Sequence, residues 1–70
     1  MPIVFAPQGK KLRVIKILAE DKTKKHLENL GITIDSDLSV LSSSGGSIIV
    51  LVKDSRLALD KDLATKIFVA

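Results

Sequence analysis

A chain of seventy residues that contains no cysteine has to hold itself together by burial alone. At this length only roughly 60 to 65% of the unfolded surface can be hidden, and small domains normally add disulfides or a structural metal to a core contributing only about 3 to 5 kcal/mol. Neither supplement is evident: besides lacking cysteine, the chain has a single histidine, His26, which rules out a histidine-rich metal cage. Cohesion must come from apolar side chains, which make up 46% of the residues. Phe5 and Phe68 are the only aromatics, so the interior is expected to be filled by Leu, Ile, Val and Ala. One domain, residues 1–70, is the expectation.

Eleven basic residues against eight acidic ones give a net charge of +3, a weak basic balance from which a nucleic-acid reading would have to start. The longest wholly apolar run, Ile48 to Val52, is far short of the roughly 20 residues that span a bilayer, so no membrane insertion is expected. Met1 to Phe5 lacks the basic stretch and long apolar run of a secretory signal, and the reading is a cytoplasmic protein.

The local patterns read as a mainly β chain. Lys11 to Ile17 follows the Pro7-Gln8-Gly9 turn and mixes charged with β-branched residues; it reads as a strand with Leu12 and Val14 on one face. Asp21 to Leu30 is rich in helix-compatible Lys, Glu, Leu and Asn, with Asp21 or Thr23 available as a cap. Gly31 ends that helix. As the left-handed residue of a Schellman ending it brings Leu27 against Ile32, and Leu27, Leu30 and Ile32 would close one edge of the core. Leu38 to Leu41 and Ile48 to Val52 form a hairpin around the Ser42-Ser43-Ser44-Gly45-Gly46-Ser47 stretch. A phosphate-cradling loop is set aside there, because the lysine and hydroxyl of a P-loop are missing.

After the Lys53-Asp54-Ser55 turn, Arg56 to Leu59 reads as a strand pairing back on Ile48 to Val52. Asp60 caps a short helix extending through Lys66, with Leu59 and Ala64 spaced as a hydrophobic staple and Leu63 and Ile67 facing the same way. Ile67 to Val69 returns to the sheet beside the first strand, which points to a small closed β-barrel.

No nucleophile–base pair and no two carboxylates in differing environments are evident, so the chain is not expected to be an enzyme. His26, flanked by Lys24 and Lys25, reads as a surface residue. Asp60 and Asp62 read as helix-start residues, and Asp35 and Asp37 as solvated turn residues rather than metal ligands. Lys22, Lys24 and Lys25 are the densest basic cluster, yet Glu20, Asp21 and Glu28 nearly neutralise it. With Phe5 and Phe68 committed to the core or its margin, stacking platforms for nucleic acid are lacking, and no nucleic-acid partner is expected. The apolar content exceeds what the fold can hide, so some of Ile3, Val4, Phe5, Ile49 and Leu51 are expected to form a partner-binding patch. The residues alone point to a protein-interaction module.

Between Gly9 and Val69 the chain resembles the FeoA family. The resemblance is carried by Leu27-Glu28-Asn29-Leu30-Gly31-Ile32, similar to the family's helix ending in Leu-Gly, by Gly45-Gly46 ahead of Ile48, and by Arg56-Leu57-Ala58-Leu59 followed by Ala64 and Ile67-Phe68-Val69. The chain departs from the family pattern at His26 and Asp60, where arginine is common, and at Ile34-Asp35-Ser36, where Pro-Gly is common. The resemblance implies a small SH3-like β-barrel with one short helix near 21–30 and a short helical turn near 61–66. Leu27, Leu30, Gly31, Ile32, Ala58, Leu59, Ala64 and Ile67 would be its structural positions.

It further implies a non-enzymatic cytoplasmic accessory of bacterial ferrous iron transport that docks on the FeoB-type membrane transporter. The docking surface expected here is the helix face with Lys24, Lys25 and His26, together with Arg56. No cofactor is implied by the side chains present, although carboxylates would allow weak binding of ferrous iron or another divalent metal. Homo-oligomerisation is left open. The alternative is a small basic SH3-like barrel that binds nucleic acid or serves as partner module of a metal-dependent repressor.

Overall fold

A computed structural model describes all residues from Met1 to Ala70. A single 3-10 turn, Ile3–Phe5, precedes strand β1 (Lys11–Ile17), helix α1 (Asp21–Asn29), strands β2 (Asp37–Ser44), β3 (Ser47–Val52) and β4 (Ser55–Asp60), helix α2 (Lys61–Ala64) and strand β5 (Ile67–Val69). The five strands form one sheet in the order β4-β3-β2-β1-β5, every pair antiparallel. All fifteen buried residues are aliphatic and belong to one cluster.

Alternation explains most of that core. In β3, Ile48, Val50 and Val52 point inward while Ile49 and Leu51 lie half-buried on the other face. In β1 strict alternation after Leu12 and Val14 would bury Lys16, whose ammonium would then be unpaired. A register shift between Val14 and Lys16 in the pairing with β5 prevents this, leaving Ile15 and Lys16 outside and turning Ile17 in. A second shift, between Val40 and Ser42 in β2, reorients that strand as it leaves the core.

Helix α1 buries one side chain, Leu27, and stops where the sequence says it must. Gly31 has φ +93°, its N–H donates to the Glu28 carbonyl at 2.9 Å, and the Ile32 N–H donates to the Leu27 carbonyl at 2.9 Å. This is the two-bond Schellman pattern, with both members of its apolar contact, Leu27 and Ile32, fully buried. Each such side chain contributes roughly 1.5 to 3 kcal/mol of burial. At α2 the Asp60 carboxylate accepts the Asp62 N–H at 2.9 Å, and Leu59 and Ala64 on either side of the cap are both buried.

Several expectations are corrected. The sheet does not close into a barrel: β4 and β5 are its two edges, because α2 and the two residues after it carry the chain to the far side instead of pairing the strands. The outer side of β5 is covered by Met1, whose carbonyl accepts from Val69 N–H at 2.7 Å and whose ammonium donates to Val69 O at 2.8 Å. The serine-rich stretch is mostly strand, since Ser42, Ser43 and Ser44 pair with Ile49, Ile48 and Ser47, and only Gly45-Gly46 form the loop.

Neither Asp21 nor Thr23 caps α1. Glu20 occupies the cap without a side-chain bond, and Asp21 in the first turn contributes only its charge. Helix α2 ends at Ala64 rather than Lys66, and Ile67 is buried from β5. Leu30 is only partly buried and Ala58 is exposed. Ile3 is buried whereas Phe5, at the end of the 3-10 turn, stands 77% exposed, so one of the two aromatics is outside the core altogether.

Candidate docking surface around Lys24

Helix α1 lies beside the end of β1 with Leu27 turned into the core, and this leaves a groove on each side of Lys24. One, of about 450 Å³, runs between Ile17, Leu18, Ala19 and Glu20 on one side and Lys66 on the other. The second, of about 100 Å³, is formed with Ile17, Glu28, Thr33 and Ile34. Ile17 and Lys24 line both. Leu18 is 53% and Ile34 51% exposed, and with Met1, Phe5 and Ile15 they are the large apolar side chains that stand in solvent.

The backbone around them is held. The Leu18 N–H donates to Lys66 O at 2.8 Å. Ile34 sits in a turn closed on itself by Ser36, whose hydroxyl donates to Thr33 O at 2.7 Å and accepts the Thr33 N–H at 3.0 Å. That turn is stitched to β1 by Asp35 N–H to Val14 O at 2.8 Å and Val14 N–H to Ser36 O at 2.9 Å. Both apolar residues are therefore presented on fixed backbone, each lining a groove shared with Lys24, with Glu28 one turn along.

The four residues taken together from the sequence separate. Lys24, Lys25 and His26 are all exposed, but consecutive residues on an α-helix project about 100° apart, so they share no single face. Only Lys24 lines the grooves. Arg56 is exposed on β4, an edge strand, and lines neither groove. Of the five residues proposed for an apolar patch, Phe5 is exposed, Val4, Ile49 and Leu51 are half-buried and Ile3 is in the core. Leu18 and Ile34 were missed because each follows or precedes a periodic element and belongs to neither pattern.

A wider groove of about 510 Å³ lies between the Thr33–Ser36 turn, β2 and the end of β3, and gathers Lys11, Lys53, Asp35 and Asp37 at its rim. Lys11 and Asp37 form an exposed ion pair at 3.6 Å, so the groove is locally neutral. Asp37 belongs to β2 rather than to the turn, while Asp35 occupies the turn with φ +73°. No three carboxylate or imidazole groups converge anywhere in the chain, and the buried set contains no ionisable group.

The whole chain, residues 1–70, matches the model of the FeoA domain. It is 37% identical over 68 residues to a Methanocaldococcus jannaschii protein provisionally named Fe(2+) transport protein A, covering 97% of this chain and 83% of that one. Among solved structures it is similar to an iron uptake regulatory protein (FeoA), with 30% identity and TM-score 0.89 over 99% of this chain and 93% of that one. It is also similar to the FeoA protein of Chlorobium tepidum, with 25% identity and TM-score 0.89 over 99% and 68% of the two chains. A manganese-dependent transcriptional repressor contains the same fold, with 25% identity and TM-score 0.89; all of this chain corresponds to 40% of that one.

Proposed function

The chain belongs to the FeoA family, and from that premise we propose that it is a non-enzymatic accessory of ferrous iron transport that docks on the cytoplasmic part of a FeoB-type membrane transporter. The observation that carries this reading is the pair of exposed aliphatic side chains, Leu18 and Ile34, held on fixed backbone, each lining a groove shared with Lys24. Exposed apolar area beside the Lys24 and Lys66 cations is the kind of surface by which a module recognises another protein. No helix is long and apolar enough to cross a membrane, which fits a protein that acts from beside the transporter.

Iron is the cargo of the system. The surface carboxylates Asp35 and Asp37 line one groove together, and with hard ligands of this kind we infer weak binding of ferrous iron and a role of regulatory contact rather than carriage. Lys24 replaces the four-residue patch as the centre of the docking surface; Lys25, His26 and Arg56 flank it at most. The deciding experiment is calorimetric titration of the protein into the cytoplasmic region of its cognate transporter, with wild type and a Leu18→Ser/Ile34→Ser variant. Saturable binding that the double variant weakens at least tenfold supports the proposal. Absence of binding at high micromolar concentration, or equal binding by the variant, overturns it.

A further inference from the structure

One edge of the sheet is covered by Met1 and the other is not. Strand β4 follows β3 through the two-residue loop Lys53-Asp54, with Val52 paired to Ser55. In a two-residue hairpin the pair flanking the loop exchanges its hydrogen bonds, and bonded and non-bonded pairs then alternate. Arg56, Ala58 and Asp60, opposite Leu51, Ile49 and Ser47, are accordingly the residues whose N–H groups point away from β3. The Arg56 and Ala58 carbonyls point the same way. None of these groups enters a bond outside the strand ladders and helices. Their side chains are also all exposed, whereas Leu57 is half-buried and Leu59 buried.

The order of those three exposed residues is self-complementary. A cation, a small side chain and an anion stand at equal spacing, so an antiparallel copy placed with Ala58 opposite Ala58 sets each Arg56 opposite the second copy's Asp60. Opposite charges directly across antiparallel strands attract, and like charges repel. Any register shifted by two residues loses both pairs. We propose that β4 is a self-docking edge: two copies of this chain join through antiparallel β4–β4 pairing about a two-fold axis at Ala58, with reciprocal Arg56–Asp60 ion pairs fixing the register. Such an interface is isologous and closes on itself, so the assembly stops at a dimer with a continuous ten-stranded sheet. It leaves the Lys24 grooves, which no β4 residue lines, free for another partner.

Sedimentation equilibrium tests this directly. Wild type is expected to populate a dimer at concentrations up to millimolar, dissociating as salt is raised because the pairs are exposed. Arg56→Glu places Glu beside Asp60 twice and is expected to be monomeric throughout. Asp60→Lys places Arg56 beside Lys twice, and is also expected to be monomeric, with circular dichroism verifying its fold after loss of the α2 cap. Mixed in equal amounts, the two variants regain opposite charges at both positions and are expected to form a heterodimer. A wild-type protein that stays monomeric, an Arg56→Glu protein that dimerises as tightly as wild type, or two folded variants that fail to associate on mixing would overturn the proposal. Should Asp60→Lys not fold, the first two measurements decide alone.

Discussion

A Cβ added to Gly31 would stand 3.2 Å from Cγ1 of Val52, a buried residue at the end of β3. The glycine therefore does two things at once: it adopts the positive φ that ends α1, and it lets the helix end approach the sheet closely enough for Leu27 and Ile32 to be buried together. Gly31→Ala is expected to lose about 1 to 2 kcal/mol from the left-handed backbone alone, with the crowding against Val52 adding about 1 kcal/mol more. For a domain of this size the melting temperature should fall by roughly 4 to 8 °C per kcal/mol. A thermal melt within a degree or two of wild type would refute this account of the helix end.

Leu27 is the only residue of α1 that is buried, so the attachment of the helix depends on it. Leu27→Ala is expected to cost roughly 2 to 5 kcal/mol, as much as the whole stability of a small unstapled domain. The variant should be largely unfolded at room temperature by circular dichroism. Leu27→Met, which conserves volume, should cost less than about 1.5 kcal/mol and remain folded.

How far these features could be read beforehand depends on how local they are. The helix end was legible because the whole motif occupies Leu27 to Ile32, and the Asp60 cap with its Leu59–Ala64 staple spans only six residues. The bulge at Ile15 and Lys16 left a trace only as a break in alternation, and its position depends on the partner strand, which the one-dimensional pattern does not contain. Serines 42 to 44 look like a loop by composition. They extend the strand because their exposed side chains cost the ladder nothing while the backbone pairs with Ser47, Ile48 and Ile49. Barrel closure failed as an expectation for the same reason: that Ile67 to Val69 reaches β1 is visible in its β-favouring residues, but whether β4 meets it depends on the path taken through α2. The proposed docking surface is the least legible, because Lys24, Lys25 and His26 are consecutive on a helix and so share no single face, while Leu18 and Ile34 lie outside any periodic element.

Lys53 occupies the first position of its two-residue loop with φ +56°, the conformation that Gly45 adopts at φ +59° in the neighbouring hairpin. A side chain there carries about 1 to 2 kcal/mol of left-handed strain, while glycine costs about 0.5 to 1 kcal/mol in unfolded-state entropy. Lys53→Gly is expected to be net stabilising by about 0.5 to 1 kcal/mol, raising the melting temperature by roughly 4 °C. An unchanged or lower value would show that the lysine contributes a contact that offsets the strain.

The revised docking surface makes a prediction that the four-residue patch does not. Lys24 lines both grooves, one with Leu18 and the other with Ile34, so a partner covering both would desolvate its ammonium, whereas Lys25 projects about 100° away. A central, desolvated charge accounts for more binding energy than one at a rim. Lys24→Glu is therefore expected to weaken binding to the transporter's cytoplasmic region by about tenfold, close to 1.4 kcal/mol, and Lys25→Glu by less than about threefold. Both positions are exposed, so neither change should alter the melting temperature appreciably. Parallel calorimetric titrations separate the alternatives: equal losses from the two variants would return the surface to a diffuse basic face, and a larger loss from Lys25→Glu would move it off the grooves altogether.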